Sequence, residues 1–205
     1  MVVLAAAQPS ISAGRSDQAT GRSGRGIARG RGHQTARLAA VRACRPRSRA
    51  NGYVNPLAAA AVTPKRIDQG VDYAGSGALV AIGEATVTYI ATSDTGWPGA
   101  FIEYQLRSGP EAGCYVYYAE GVIPTGGLRV GEQVRAGEAI ATLDPGNPSG
   151  IEIGWGSGAG TQTYAAMAGQ WSATSEQDNL PSGAGASFSS LIAALGGPPG
   201  KVGVP

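Results

Sequence analysis

Leu128-Arg129-Val130-Gly131-Glu132-Gln133-Val134-Arg135-Ala136-Gly137-Glu138-Ala139-Ile140-Ala141 is the stretch on which the fold reading turns. It sets a glycine turn, a short apolar strand piece, a second glycine turn and another apolar pair in close succession. Glycine suits turn positions that need positive φ. The neighbouring sequence repeats the theme. Ala78–Ile82, Ala85–Ala91, Phe101–Leu106, Cys114–Ala119, Gln133–Val134, Ala139–Leu143 and Gly150–Trp155 are apolar or alternating runs of strand length. Leu57–Val62 is a shorter apolar segment that Thr63-Pro64 ends. Turn clusters separate the runs: Gly83-Glu84, Asp94-Thr95-Gly96-Trp97-Pro98-Gly99 and the Arg107–Gly113 loop. Strands at this spacing, without helical periodicity between them, predict a mainly β, antiparallel roll or sandwich. Only Ser187–Leu195 reads as a helix, with Ser187 as N-cap and Gly196 as the stop.

Charge divides the chain. Residues 1–50 hold ten Arg and one acid, Asp17, whereas residues 51–205 hold six basic residues and thirteen acids. The first part lacks a hydrophobic period and enough apolar surface to offset chain entropy, so it reads as a disordered basic tail. A solvated tail, sequence translated from a start codon set too early, nucleic-acid binding through the arginines, and an organelle transit segment all fit it. Met1–Ala13 is a poor secretory signal, since Gln8-Pro9 breaks its apolar run and no basic region precedes it. No run approaches the ~20 apolar residues of a spanning helix. Cys44 and Cys114 are too few for a disulfide framework, and a single bridge between them would have to reach into the tail. Three regions follow: the tail 1–50, a β domain over 53–160, and a C-terminal extension 161–205 carrying the helix 187–195.

The pattern V-G-x-x-V-x-x-G-x-x-I in the opening stretch resembles the hybrid motif of biotinyl and lipoyl carriers and of lysostaphin-type peptidoglycan endopeptidases. A carrier needs a modifiable lysine in an exposed hairpin, and Lys65 and Lys201, the only lysines of the folded part, sit in none. The upstream sequence is similar to the peptidases. Asp68-Gln69-Gly70-Val71-Asp72 looks like their H-x-G-x-D segment, and Tyr115–Glu120 like their strand ending in Tyr-Ala-His. Gly150–Trp155 stands where they carry H-x-H. The order holds over Asp68 to Trp155. The resemblance implies a duplicated-hybrid-motif β-roll, a cell-wall or extracellular setting, and peptidoglycan or another wall glycan as partner.

The family's zinc chemistry does not transfer with the order of elements. Its ligands are a His and an Asp of the first motif and a His of the last. Here Asp72 alone matches a ligand, because Asp68, Glu120, Glu152 and Gly154 stand at the histidine positions and the chain's one histidine is His33 in the tail. Catalytic zinc sites draw on nitrogen or thiolate donors with one open position. Carboxylates in their stead suit calcium or magnesium, weakly held, or no cofactor. If Asp68, Asp72, Glu120 and Glu152 converge on one groove, Glu120 and Glu152 could act as the acid and base of a glycan hydrolase. They could equally bind ligand, or be ordinary turn and surface acids. Trp97 and Trp155 could stack on sugar rings in that groove, or simply pack. Two functions are left: a degenerate peptidase-like domain that binds the wall or regulates a wall hydrolase, and an active carboxylate-based hydrolase. An architectural module tied to nucleic acid by residues 1–50 is a weaker third.

Overall fold

A computed structural model describes residues 44, 46, 48–173 and 180–203. The expected disorder of the tail therefore falls, for residues 1–43, outside the described residues. The opening stretch forms two copies of one device. In Arg129-Val130-Gly131-Glu132 and again in Arg135-Ala136-Gly137-Glu138, the Glu amide donates to the Arg carbonyl at 3.1 Å. The same Glu carboxylate accepts from the Arg amide at 2.9 Å in both. Gly131 and Gly137 have φ of 90° and 82°, the left-handed backbone that the third position of a type II turn requires. Each turn then pins a neighbouring strand through two bonds. Gly131 donates to Val87 O at 2.8 Å and Val87 donates to Glu132 O at 2.9 Å; Gly137 and Glu138 do the same with Ala81 at 2.9 and 2.8 Å.

Among the described residues, nine strands form one antiparallel sheet. They are β1 (Ala60–Ile67), β2 (Val71–Val80), β3 (Ala85–Ala91), β4 (Ala100–Leu106), β5 (Tyr115–Glu120), β6 (Val122–Pro124), β7 (Gln133–Val134), β8 (Ala139–Leu143) and β9 (Ile151–Gly156). The order is β6-β8-β2-β9-β5-β4-β3-β7, with β1 on the free edge of β2. β2 is long enough to serve two partners. Its first part pairs with β9 (Asp72 with Glu152) and its last part with β8 (Leu79 with Ala141). The mainly β expectation holds. One boundary differs: Pro64 does not end the first segment but lies inside β1, opposite Tyr73. An edge strand tolerates a residue without an N–H.

Among the described residues two helices follow, α1 (Tyr164–Met167) and α2 (Gly183–Ala194). The sequence reading missed α1, a single turn capped by Thr163. It also started α2 too late. The N-cap is Ser182, whose hydroxyl accepts from Gly185 N, and Gly183-Ala184-Gly185 hides the first turn behind poor helix formers. Ser187, expected as the cap, lies inside the helix, where its carbonyl accepts from the Ser48 hydroxyl at 2.7 Å. Phe188, Leu191 and Ile192 of α2 are fully buried in the main core. The C-terminal region is thus part of the domain's packing.

Cys44 and Cys114 form a disulfide. Both are buried, at 5% and 2% exposure, within the main core. Cys44 thus joins the core from within the expected tail 1–50. Local composition governs whether a segment can fold alone, and a covalent link to the end of the β4–β5 loop supplies what the arginine-rich sequence lacks.

Candidate functional site

Alternation along the central strands sorts side chains onto two faces. On β9, Ile151, Ile153 and Trp155 enter the main core, leaving Glu152 and Gly154 on the other face. On β5, Val116 and Tyr118 face the core, while Tyr117 and Ala119 join Phe101 in a second small cluster against which Tyr89 and Trp97 pack. Phe101 and Tyr117 stack with planes 6° apart, and Trp97 leans on both at 5.7 and 5.8 Å. This second face carries the acids.

Asp68, Asp72 and Glu152 each bring one carboxylate oxygen within 4.8 Å of the others. All three are buried. Asp68 sits in the tight connection between β1 and β2, accepting from Gly70 N at 3.2 Å, a short Asx turn. Arg66 Nε lies 2.7 Å from Asp72 Oδ2 and 3.3 Å from Asp68 Oδ2. Asp72 Oδ1 is buried without a hydrogen-bond partner. Tyr117 donates its hydroxyl to Glu152 Oε1. The two glycines around this pair permit it. A Cβ on Gly154 would stand 2.9 Å from the Tyr117 ring and hydroxyl and 3.0 Å from Gly70 Cα.

Burial sets the protonation of these groups. Asp72 is pushed up to about 7 by desolvation and by the Asp68 charge, against the pull of Arg66. Glu120 also rises to about 7, by burial and then by Asp72 and Asp68. Glu152 lies well above the ordinary carboxyl range, through burial and the charges of Asp68 and Asp72, with the Tyr117 hydrogen bond opposing. A pocket of about 400 Å³ opens over the cluster. Arg66, Asp68, Glu120 and Glu152 line it together with Trp97 and Trp171. Asp72 and Glu120 line a second, adjoining pocket. Glu120 itself has φ of 69°, left-handed backbone on a residue with a Cβ.

The structure thus brings Asp68, Asp72, Glu120, Glu152 and Trp97 together. Trp155 is a correction to the expected groove. It is fully buried on the opposite face, its ring edge-on to Phe188 at 5.1 Å and 87°. The alternation Ile151-Glu152-Ile153-Gly154-Trp155 already separated it from Glu152. Glu103 was missed. It is 1% exposed, pushed up to about 7 chiefly by burial, and accepts from Gly158 N at 2.8 Å and the Thr88 hydroxyl at 3.1 Å. It thereby holds the loop after β9, where Thr161 O accepts from Trp97 Nε1 at 3.0 Å. A lone carboxylate amid Phe101, Ile102 and Tyr104 was the available signal.

Zinc does not fit these residues. Both cysteines are consumed in the disulfide, and no histidine lies among the described residues, His33 being outside them. Tyr117 fills the space beside Gly154 that a side-chain donor there would need.

No protein-family model matches the sequence, and no curated protein matches it. Solved structures show a likeness. One is a Pseudomonas aeruginosa protein named for peptidase family M23, at 13% identity and TM-score 0.39, with 69% of this chain and 61% of that one covered. Another is CbpA from L. salivarius REN, at 22% identity and TM-score 0.38, covering 70% of this chain and 91% of that one. The chain therefore spans less than two thirds of the Pseudomonas protein.

Proposed function

We propose that this domain is a peptidase-like, cell-wall-associated module that binds peptidoglycan or another wall glycan or peptide and lacks zinc catalysis. Its role is retention at the wall or regulation of a wall hydrolase, outside the cell membrane. The observation that carries the reading is the donor set. At positions where the sequence resembles a zinc peptidase stand three buried carboxylates, with an arginine and a tyrosine held against them. The groove beside them suits a polar polymer. Trp97 and Trp171 offer indole faces for sugar rings, and Glu120 and Glu152 offer acceptors or, when protonated, donors. The test is a pull-down of the purified full chain on insoluble peptidoglycan, with metal analysis and a digest of the same sample. Saturable binding, weakened when Trp97→Ala is introduced, with no zinc and no released fragments, is expected. Chelator-sensitive release of wall fragments by a zinc-loaded protein would overturn the reading.

One observation favours a second reading, an active hydrolase. Glu120 and Glu152 line the same pocket, and burial raises both carboxyls. A protonated carboxyl beside an ionised one is the pairing that glycoside hydrolysis uses. Fragment release in chelator, lost in Glu120→Gln and in Glu152→Gln, would establish it. Nucleic-acid binding through residues 1–50 would instead show as salt-sensitive retention on DNA or RNA, independent of the groove.

A further inference from the structure

The geometry points to Arg66 as the resident cation of the Asp68–Asp72–Glu152 cluster: its guanidinium holds the place of a divalent ion, and the native protein excludes such ions from that site. The assignment is independent of whether the groove binds wall polymer.

Three observations converge on it. The first is backbone architecture. β1 and β2 pair in register as far as Pro64 with Tyr73, then resume at Ile67 with Val71. Two residues, Lys65 and Arg66, therefore oppose the single residue Asp72. A bulge of this kind re-aims a side chain and bends its strand. The C-terminal segment fixes it from the outer edge, since Ile67 donates to Lys201 O at 3.1 Å and Lys201 donates to Lys65 O at 2.7 Å. Arg66 is thus positioned by main chain on both sides and is not a surface side chain that happens to lean inward.

The second is contact. One Nε serves two carboxylates, Asp72 at 2.7 Å and Asp68 at 3.3 Å. These are the same two acids that, with Glu152, present converging oxygens. Arginine stays charged at any pH a protein survives, so this cation neither dissociates nor depends on ion supply. A second positive ion entering the cluster would meet the guanidinium at contact distance.

The third is the residual acceptor. Asp72 is 7% exposed, yet its Oδ1 has no hydrogen-bond partner. A buried carboxylate oxygen without a partner is costly. Arg66 satisfies one oxygen and leaves the other, so the cluster retains capacity for a cation that it cannot admit while Arg66 is present. Removing the guanidinium takes away the cation that touches the cluster and leaves the weaker pull of Lys65 on Asp72, so a divalent ion can displace carboxyl protons and bind.

The test titrates Mn²⁺ into the full-length native protein, R66K and R66M, following free Mn²⁺ by electron paramagnetic resonance and the unfolding midpoint in Mn²⁺ and Ca²⁺. The native protein and R66K are expected to show no saturable site. R66M is expected to bind one ion per chain at least roughly tenfold more tightly than the native protein, about 1.4 kcal/mol, and to lose this gain when D72N is added. If R66M unfolds without ion, refolding it in Mn²⁺ must restore the native fold. One saturable divalent ion on the native chain, or a folded R66M that gains none, would overturn the assignment, as would failure of the ion to rescue an unfolded R66M. None of these outcomes decides whether peptidoglycan is bound, which the pull-down reads separately.

Discussion

The sheet carries two different solutions to buried polarity, one on each face. On the core face, Tyr104 and Tyr118 bring their hydroxyls to 2.8 Å, and the pair is closed by Val80 O at 2.6 Å and Ile82 N at 3.2 Å. Every oxygen has a partner, and the rings meet edge-on at 5.5 Å inside an aliphatic shell. On the groove face, Tyr117 meets a carboxylate, three acids share a small volume, and Asp72 Oδ1 goes unmatched. The first arrangement is complete and serves stability. The second is incomplete, holds protons at neutral pH, and includes a left-handed Glu120. The core face is not free of unmatched polarity, since Trp155 Nε1 is buried without a partner, but only the groove face joins an unmatched carboxylate oxygen to a left-handed backbone beside it, which is why the proposed binding is placed there.

Truncation on the core face should give the largest loss. Trp155→Ala removes the largest fully buried side chain and its contact with Phe188. A loss of about 3–5 kcal/mol is expected from chemical denaturation. A loss below about 1 kcal/mol would mean that Trp155 is not core, and the two-face division would fail. The disulfide comes next. It spans 70 residues, for which chain entropy gives about 4.4 kcal/mol, and 2–4 kcal/mol is typical. Cys44→Ala with Cys114→Ala, or removal of residues before Ala50, should lower the midpoint by similar amounts under oxidising conditions. Equal midpoints for the native and shortened chains would show that Cys44 adds nothing to the core.

Much of this division was legible, and its limits are physical. β3 and β8 match their expected ends, since alternation and glycine turns are local signals. The convergence of Asp68, Asp72 and Glu152 was implied only by the resemblance to the peptidases, because the pairing of β2 with β9 is long-range and no offset within a strand encodes it. The bulge at Lys65-Arg66 was not legible, because Pro64 reads as a stop and its tolerance depends on β1 being an edge. The Cys44 link was not legible either, because nothing local in an arginine-rich stretch encodes a partner 70 residues away. Trp155 differs: stacking on sugar and ordinary packing were both open to it, and the period of two, which sets it opposite Glu152, decides for packing.

The groove face should betray itself through pH. Glu103 titrates near 4.5 when unfolded and is pushed up to about 7 when folded, mainly by burial. Between those values the folded state binds more protons than the unfolded one, so stability falls as pH rises. The contribution is fully present below the ordinary carboxyl range and is lost on passing about 7. At about 1.4 kcal/mol per unit, it amounts to roughly 3 kcal/mol as an upper figure. Asp72 and Glu120 act in the same direction. Unfolding free energy should therefore decline from acid to neutral pH, and Glu103→Gln should flatten that slope while leaving the Trp155 contact intact. A slope of opposite sign, with stability gained toward neutral pH, would show that these acids are ionised and paired in the folded state.

Glu120→Gly should produce the smallest change, and in the direction opposite to most substitutions. Glu120 ends β5 at φ 69°, where a side chain is strained and glycine is not. The turn there is tight, since a Cβ on the neighbouring Gly99 would strike the Glu120 carbonyl carbon at 2.8 Å. The backbone is thus fixed by its surroundings and will not relax to suit the side chain. Glycine removes that strain and also removes one carboxyl from beside Asp72 and Asp68, whose charges push Glu120 up. Glycine's greater freedom in the unfolded chain opposes both effects. A net gain of about 0.5–1 kcal/mol is expected. A residue kept at a cost in stability belongs to function, so the same variant should lose affinity for the wall polymer, or fragment release if the domain hydrolyses it. Two measurements on one protein decide the matter: denaturation for the gain, and sedimentation with peptidoglycan for the loss. A variant that is more stable and binds equally well would remove Glu120 from the site and reduce its left-handed backbone to a feature of the turn.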